Sequence, residues 1–137
     1  FLSKQAIKPF GGFVGGLLLK ADGNYQALKL TWDNKEVRDR CQKKLNKLVM
    51  NVNRLYFMAF DLFEKGEIIT YRGDEIDLLM KFRNGEYDYA EWREHVVPVY
   101  EARMKAACKN SELPDQVDMN RVNELVMTIN EQALKVA

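Results

Sequence analysis

The chain has 137 residues, of which 47% are hydrophobic and 30% are charged. This length corresponds to one domain that buries roughly two thirds of its unfolded surface, so a stable core is expected and a disordered chain is excluded. The 21 basic and 20 acidic residues nearly cancel, which excludes a uniformly basic protein but not a local basic patch. No apolar run is long enough to span a bilayer and no signal-peptide pattern opens the chain, so we expect a cytoplasmic protein with no membrane partner.

The first twenty residues combine apolar side chains with residues that disfavour helices. Ser3 could cap a helix, but Pro9 and the glycines at 11, 12, 15 and 16 make a long regular helix costly. We therefore predict a short helix whose glycines allow close helix packing. A phosphate-cradling loop is the less favoured alternative, because no strand precedes the glycines and the Lys-Ser/Thr ending is absent. Asp22-Gly23-Asn24 then predicts a turn.

A strong helical pattern follows this turn. Asp33 or Asn34 can cap the helix, and Gly66 with Lys65 in the last turn predicts its end. Apolar residues recur at helical spacing for about 28 residues, or roughly 42 Å. These positions are Val37, Cys41, Leu45, Leu48, Val52, Leu55, Ala59 and Leu62. Cys41 and Cys108 lie in such apolar patterns, so two reduced core thiols are favoured over a disulfide. The sequence has no closely spaced pair of cysteines or histidines, so a structural zinc site is not expected.

The remaining chain predicts shorter helices. Residues 67–73 predict an extended connector or one short strand, and Asp74 is expected to cap a helix that ends at Asn84-Gly85. Its predicted buried side carries Ile76, Leu79, Met80 and Phe82. Asp88 begins another helix that runs to about Asn110 and that Pro98 should kink or split, and after a loop Asp118 begins a last helix. The sequence thus predicts one all-α domain over residues 1–137, with four or five helices around one long central helix.

Beside the apolar positions, the long helix carries a second row of residues at helical spacing. Lys44, Lys47, Asn51 and Arg54 follow one another at steps of 3, 4 and 3, which places them on one face. Lysine as a point charge and arginine as a planar fork both bind phosphate oxygens. The row is therefore either a phosphate-binding face or an ordinary solvated face, and periodicity alone favours the second.

Other chemistry-bearing residues form no convincing site. His95 is the only histidine and is expected to pack at a helix edge, because no nucleophile accompanies it. The pairs Asp74 with Asp77 and Asp115 with Asp118 occupy positions where acidic residues commonly cap helices. Four aromatic residues could stack on a base, but a core position is favoured for each of them; they are Tyr87, Tyr89, Trp92 and Tyr100.

Several short motifs occur together in one order. They are Lys47 to Leu55, with lysine first and Arg54-Leu55 last; Gly66-Glu67 followed by Arg72; Leu78-Leu79 followed by Arg83 and Gly85-Glu86; and Leu113-Pro114 followed by Asp118. In these motifs the chain resembles the predicted nucleotidyltransferases of the DNA polymerase beta superfamily, a bacterial and phage group that includes RNA-repair proteins. The resemblance covers nearly the whole chain but only the helical C-terminal part of that family. Asn51 stands where the family usually has histidine.

This resemblance implies a function that depends on a second lobe. Family members carry a Gly-Ser turn and a pair of aspartates for two metal ions before this region, and the chain has neither. The chain begins with Phe1, so we expect a piece of a longer protein: a helical lobe that helps bind a nucleotide triphosphate or RNA. Mg²⁺ would belong to the absent catalytic lobe, with no cofactor in this chain.

Residues Lys44, Lys47, Asn51 and Arg54 are the expected phosphate-binding residues, with Arg72 and Arg83 as secondary candidates and no catalytic residue or metal ligand. The expected partner is the catalytic lobe of the same protein or a second copy of the chain, through residues 10–19, unless that segment folds into its own core. The alternative is a stand-alone helical module that binds protein or nucleic acid without enzymatic activity.

Overall fold

The computed structural model describes residues 3–31, 33–67, 73–116 and 127–128, and all regular structure among them is helical. The predicted all-α fold is therefore confirmed. The main helices are α1 (Ile7–Leu30), α2 (Lys35–Lys65), α3 (Ile76–Arg83), α4 (Tyr89–Glu91) and α5 (Val97–Asn110), with a π-helical segment (Trp92–Val96) joining the last two. Single 3-10 turns at Lys4–Ala6 and Gly73–Glu75 precede α1 and α3. No described helix is long and apolar enough to cross a membrane.

The long helix α2 lies at the centre and has the predicted ends. The Asn34 side chain accepts a hydrogen bond from the Val37 backbone N–H at 3.2 Å, and Gly66 terminates the helix in the left-handed conformation with φ 76°. The predicted apolar positions are buried or half-buried. Other residues of α2, among them Asn46, Met50, Phe57 and Phe60, are also buried, because α1, α3 and α5 all pack against this helix.

Aromatic side chains fill the space between α2 and α5. Tyr100 of α5 makes edge contacts with the rings of Tyr56, Phe57 and Phe60, at centroid distances of 5.5 to 5.9 Å. Tyr89 and Trp92 are buried, and Tyr87 and Tyr100 are partly buried against the same core. The aromatic residues that could have stacked on a base therefore belong to the core, as predicted. Cys41 and Cys108 are both free thiols.

Helix α1 contradicts the predicted short helix and turn. It runs without a break through all five glycines between residues 11 and 23, and Asp22-Gly23-Asn24 is helical. Val14, Leu18 and Ala21 are buried against the core, and this tertiary packing outweighs the intrinsic cost of glycine in a helix. The predicted close packing through glycine is also wrong, since a Cβ added at Gly11, Gly12, Gly15, Gly16 or Gly23 would meet no atom within 4 Å.

The shorter helices agree with the sequence in part. Helix α3 ends at Asn84-Gly85 as predicted, but only Leu79 of its expected buried residues is fully covered: Phe82 is half-buried, while Ile76 and Met80 are 50% and 40% exposed. Helix α3 has only eight residues and packs against α2, so one residue of its face is fully covered. Its N-cap is Glu75 rather than Asp74, and the Asp74 side chain lies outside the described residues.

Proline acts on the helix after Asp88 as expected. Asp88 caps α4 by accepting a hydrogen bond from the Glu91 backbone N–H at 3.0 Å. The helix then widens into the π-helical segment, which ends directly before the first turn of α5, where Pro98 lies. Proline lacks a backbone N–H, so the regular ladder cannot pass through it. Two predictions fall outside the described residues. One is the extended connector or strand at 67–73, of which the structure describes only Glu67 and Gly73, and the other is the start of the last helix at Asp118.

Candidate functional site

A groove runs along the seam between α1 and α2. It consists of two adjoining cavities of about 520 Å³ each, which share Lys20 and Asn51. From α2 the groove is lined by Lys44, Lys47, Leu48, Asn51, Arg54 and Leu55. All four residues predicted from the spacing therefore line one groove. The secondary candidate Arg83 is exposed in the last turn of α3 and does not line it, and Arg72 lies outside the described residues.

The α1 wall of the groove is formed by eight residues, four of which have no side chain or only a methyl group. Gly12, Gly16, Gly23 and Ala27 line it, together with Phe13, Leu17, Lys20 and Asn24. These residues recur every three or four positions, as one face of a helix requires. Because an added Cβ at any of the three glycines would meet nothing within 4 Å, the glycines keep the groove open rather than bring the helices closer.

The sequence interpretation missed the α1 side of the groove. The i, i+4 spacing of Gly12, Gly16, Lys20 and Asn24 was the available signal. It was not used because glycine and the Asp-Gly-Asn triplet predicted that the helix would stop. Lys20 adds a fourth cation to the three predicted on α2, from the facing helix.

The groove cations are electrostatically uncompensated within the described chain. Lys20, Lys44, Lys47 and Arg54 are exposed, and none forms an ion pair with another described residue. Some cations elsewhere do have such partners: Lys65 Nζ lies 3.1 Å from the Asp61 carboxylate, and Arg103 lies 2.7 Å from that of Glu64. A row of cations attracts anions when, as among the described residues here, no carboxylate pairs with it.

Charge is also unevenly distributed along the sequence, with the excess of basic residues in the part that forms the groove. Residues 7–54, which form α1 and the first part of α2, contain ten basic and four acidic residues, whereas residues 55–137 contain ten basic and sixteen acidic residues. The near-zero net charge therefore conceals a basic helical hairpin. This hairpin contains both walls of the groove.

A second polar cluster fixes α1 against the rest of the fold. Arg93 donates two hydrogen bonds to the Asp22 carboxylate, from Nε at 3.1 Å and from an Nη at 3.3 Å, and the Tyr89 hydroxyl donates to the same carboxylate. These hydrogen bonds to Asp22 raise the pKa of Arg93, and burial together with Asp22 raises the pKa of Tyr89. Asp22 directly precedes Gly23 and Asn24 of the groove, so the cluster sets the rotation of the α1 wall.

A larger cavity of about 670 Å³ lies near the end of α2, between Phe63, Gly66, Arg103, Ala107 and Leu113. Its arginine is not free to bind an anion, because Arg103 forms two hydrogen bonds with Glu64, of 2.9 and 3.0 Å, and stacks over Phe60. His95 is exposed on the π-helical segment. Among the described residues no group of three or more histidine, cysteine or acidic side chains is arranged to hold a metal ion.

The motifs that resemble nucleotidyltransferases are placed on different elements. Lys47 to Leu55 form the central part of the α2 wall, and Leu78 to Glu86 form α3 and its terminating turn. Arg72 and Asp118 lie outside the described residues. No family model, curated protein or solved structure matches the chain, so the resemblance stays a prediction that rests on these motifs.

Proposed function

We propose that the α1–α2 groove binds the phosphate groups of a nucleotide or nucleic acid in the cytoplasm. The observation that supports this most directly is that four exposed cations without partners among the described residues line one groove. Charge-assisted hydrogen bonds of this kind contribute about 1.5–3 kcal/mol each where water is partly excluded. The described residues that line the groove include no histidine or carboxylate, so the chemistry we propose for it is binding rather than proton transfer.

The proposed role is that of the helical lobe of a nucleotidyltransferase. The Lys47 to Leu55 motif, on which the family resemblance partly depends, supplies Lys47, Asn51 and Arg54 to the groove. In this proposal the groove holds a nucleoside triphosphate or an RNA acceptor, and the metal-dependent transfer with Mg²⁺ belongs to a catalytic lobe. That lobe, or a second copy of the chain, would be the protein partner.

The test is binding of a nucleoside triphosphate and of an RNA oligonucleotide to a Lys47→Ala/Arg54→Ala variant. Removing two phosphate contacts should weaken binding about a hundredfold or more, since each contact contributes on the order of 1.5–3 kcal/mol. The melting temperature should change little, because both side chains are exposed. Titration calorimetry and thermal unfolding measure the two quantities.

The matched control is a Lys35→Ala/Lys109→Ala variant. Like the test variant, it removes two positive charges, but from exposed lysines that do not line the groove. Its affinity should remain close to that of the unmodified chain. An equal loss in both variants would mean that net charge alone attracts the ligand, and a loss of stability without a loss of binding would show that Lys47 and Arg54 are structural.

A further inference from the structure

Two features of the groove are not explained by phosphate binding alone: its apolar floor and the exposed aromatic side chain at one end. Its floor is apolar, with Leu17, Leu48 and Leu55 between the cations. At the Arg54 end, Phe13 lines the groove while being 66% exposed. A large aromatic side chain exposed to this degree contributes little to the core, so its ring is free to contact a ligand in the groove.

The length of the cation row favours a strand over a mononucleotide. Lys44 and Arg54 are ten residues apart on one helix, which corresponds to about 15 Å along its axis. The axial rise per phosphate of one strand in a duplex is about 3.4 Å, so this distance covers at most roughly four nucleotides of a helically stacked strand and fewer of an extended one. Lys20 from the facing helix lies between the two ends, because it borders both halves of the groove.

Phe13 is accessible in part because two of its neighbours on the groove face carry no side chain. Gly12 and Gly16 line the same end, and space is open around both. A planar base can therefore approach the Phe13 ring from the groove, with the Arg54 guanidinium on the opposite wall. Stacking of this kind requires unpaired bases, whose faces are free, whereas a duplex hides its bases in its own stack.

We infer that the groove binds single-stranded nucleic acid, with phosphates on Lys20, Lys44, Lys47 and Arg54 and one base stacked on Phe13. This inference deepens the proposed function and rests on it, because it assumes that the groove cations bind phosphate. It adds a preference for single strands and assigns a base-stacking role to one residue.

The experiment measures the affinity of the 137-residue chain for a labelled single-stranded RNA of about 12 nucleotides and for the corresponding duplex. Single strands should bind more tightly than the duplex. Phe13→Ala should weaken single-strand binding by about fivefold to a hundredfold, and Phe13→Tyr, which keeps a stacking ring, should restore it. Leu19→Ala is the matched control, because Leu19 is 76% exposed on the same helix but does not line the groove.

The outcomes separate this inference from the proposed function. If Lys47→Ala/Arg54→Ala loses binding while Phe13→Ala binds as the unmodified chain does, phosphate binding stands and the stacking role is wrong. Equal affinity for the duplex would overturn the preference for single strands. If neither RNA nor nucleotide binds, both proposals fail. Sedimentation shows whether Phe13 instead mediates a dimer: a dimer that RNA does not dissociate would overturn the inference.

Discussion

At the scale of single residues, two buried asparagines connect α2 to its neighbours. Asn53 accepts a hydrogen bond from the Trp92 indole at 3.2 Å and donates to the Val49 carbonyl at 2.8 Å. Asn46 accepts hydrogen bonds from Gln42 and from the Tyr87 hydroxyl, at 2.7 and 2.8 Å. Satisfied polar contacts inside a core are directional, so they specify one rotation of α2 about its axis. That rotation places the side chains of Lys44, Lys47, Asn51 and Arg54 along the groove.

Replacing Asn53 by alanine should destabilise the fold by about 1–3 kcal/mol, because the Trp92 indole N–H would remain buried without a partner. Asn53 is fully buried, so water cannot replace the lost carbonyl oxygen. Asn51→Ala is the matched control two positions earlier, since Asn51 is only half-buried and faces the groove. Urea unfolding would measure both. Equal destabilisation by the two variants would contradict the role assigned to Asn53.

The burial of these two asparagines could not be predicted from the sequence. The common face of the groove residues of α2 could be predicted. Spacing alone placed Lys44, Lys47, Asn51 and Arg54 on one face, because helical geometry fixes which residues share a face. Asn46 and Asn53 are polar, so their hydropathy assigns them to the surface. Only the partners Tyr87 and Trp92, which are distant in sequence, make their burial favourable.

At the scale of elements, α1 and α2 illustrate opposite balances of local and tertiary forces. In α2 the apolar period, the Asn34 cap and the Gly66 terminus all agree, and the helix could be predicted with its ends. In α1 five glycines and an Asp-Gly-Asn triplet oppose the helix locally. Burial of Val14, Leu18 and Ala21 against α2 decides the outcome, and single-sequence patterns do not contain that information. As a result, α1 has a weak intrinsic helix propensity and depends on its packing against α2.

This weakness predicts that Gly15→Ala stabilises the protein by about 0.5–1 kcal/mol. Gly15 is exposed within α1, a Cβ there would meet no atom within 4 Å, and it does not line the groove. Gly85→Ala is the opposing control. Its φ of +79° disfavours a side chain, and the new Cβ would lie 3.2 Å from the Asn46 amide nitrogen.

Thermal unfolding should therefore shift upward for Gly15→Ala and downward for Gly85→Ala. RNA binding should be unchanged in Gly15→Ala, because the residue lies outside the groove. A decrease in stability for Gly15→Ala would show that α1 needs glycine at this position for a reason that its surroundings do not reveal.

At the scale of the whole molecule, charge is segregated along the chain. The basic residues in excess lie in 7–54 and the acidic ones in 55–137. A ligand that carries many negative charges is therefore attracted to the α1–α2 hairpin and repelled by the rest. The sequence contains this asymmetry, but only the fold shows that Lys20 faces the α2 cations across one groove.

This arrangement predicts a definite salt dependence of single-strand binding. Each phosphate contact releases counterions, so the slope of log affinity against log salt concentration is about −0.7 per contact for a single strand. Four groove cations correspond to a slope of about −3, and Lys47→Ala/Arg54→Ala should reduce its magnitude by about half. Lys35→Ala/Lys109→Ala, which removes the same charge outside the groove, should leave the slope close to that of the unmodified chain. Fluorescence anisotropy over a range of salt concentrations measures these slopes, and equal slopes in the two double variants would show that nucleic acid binds elsewhere on the molecule.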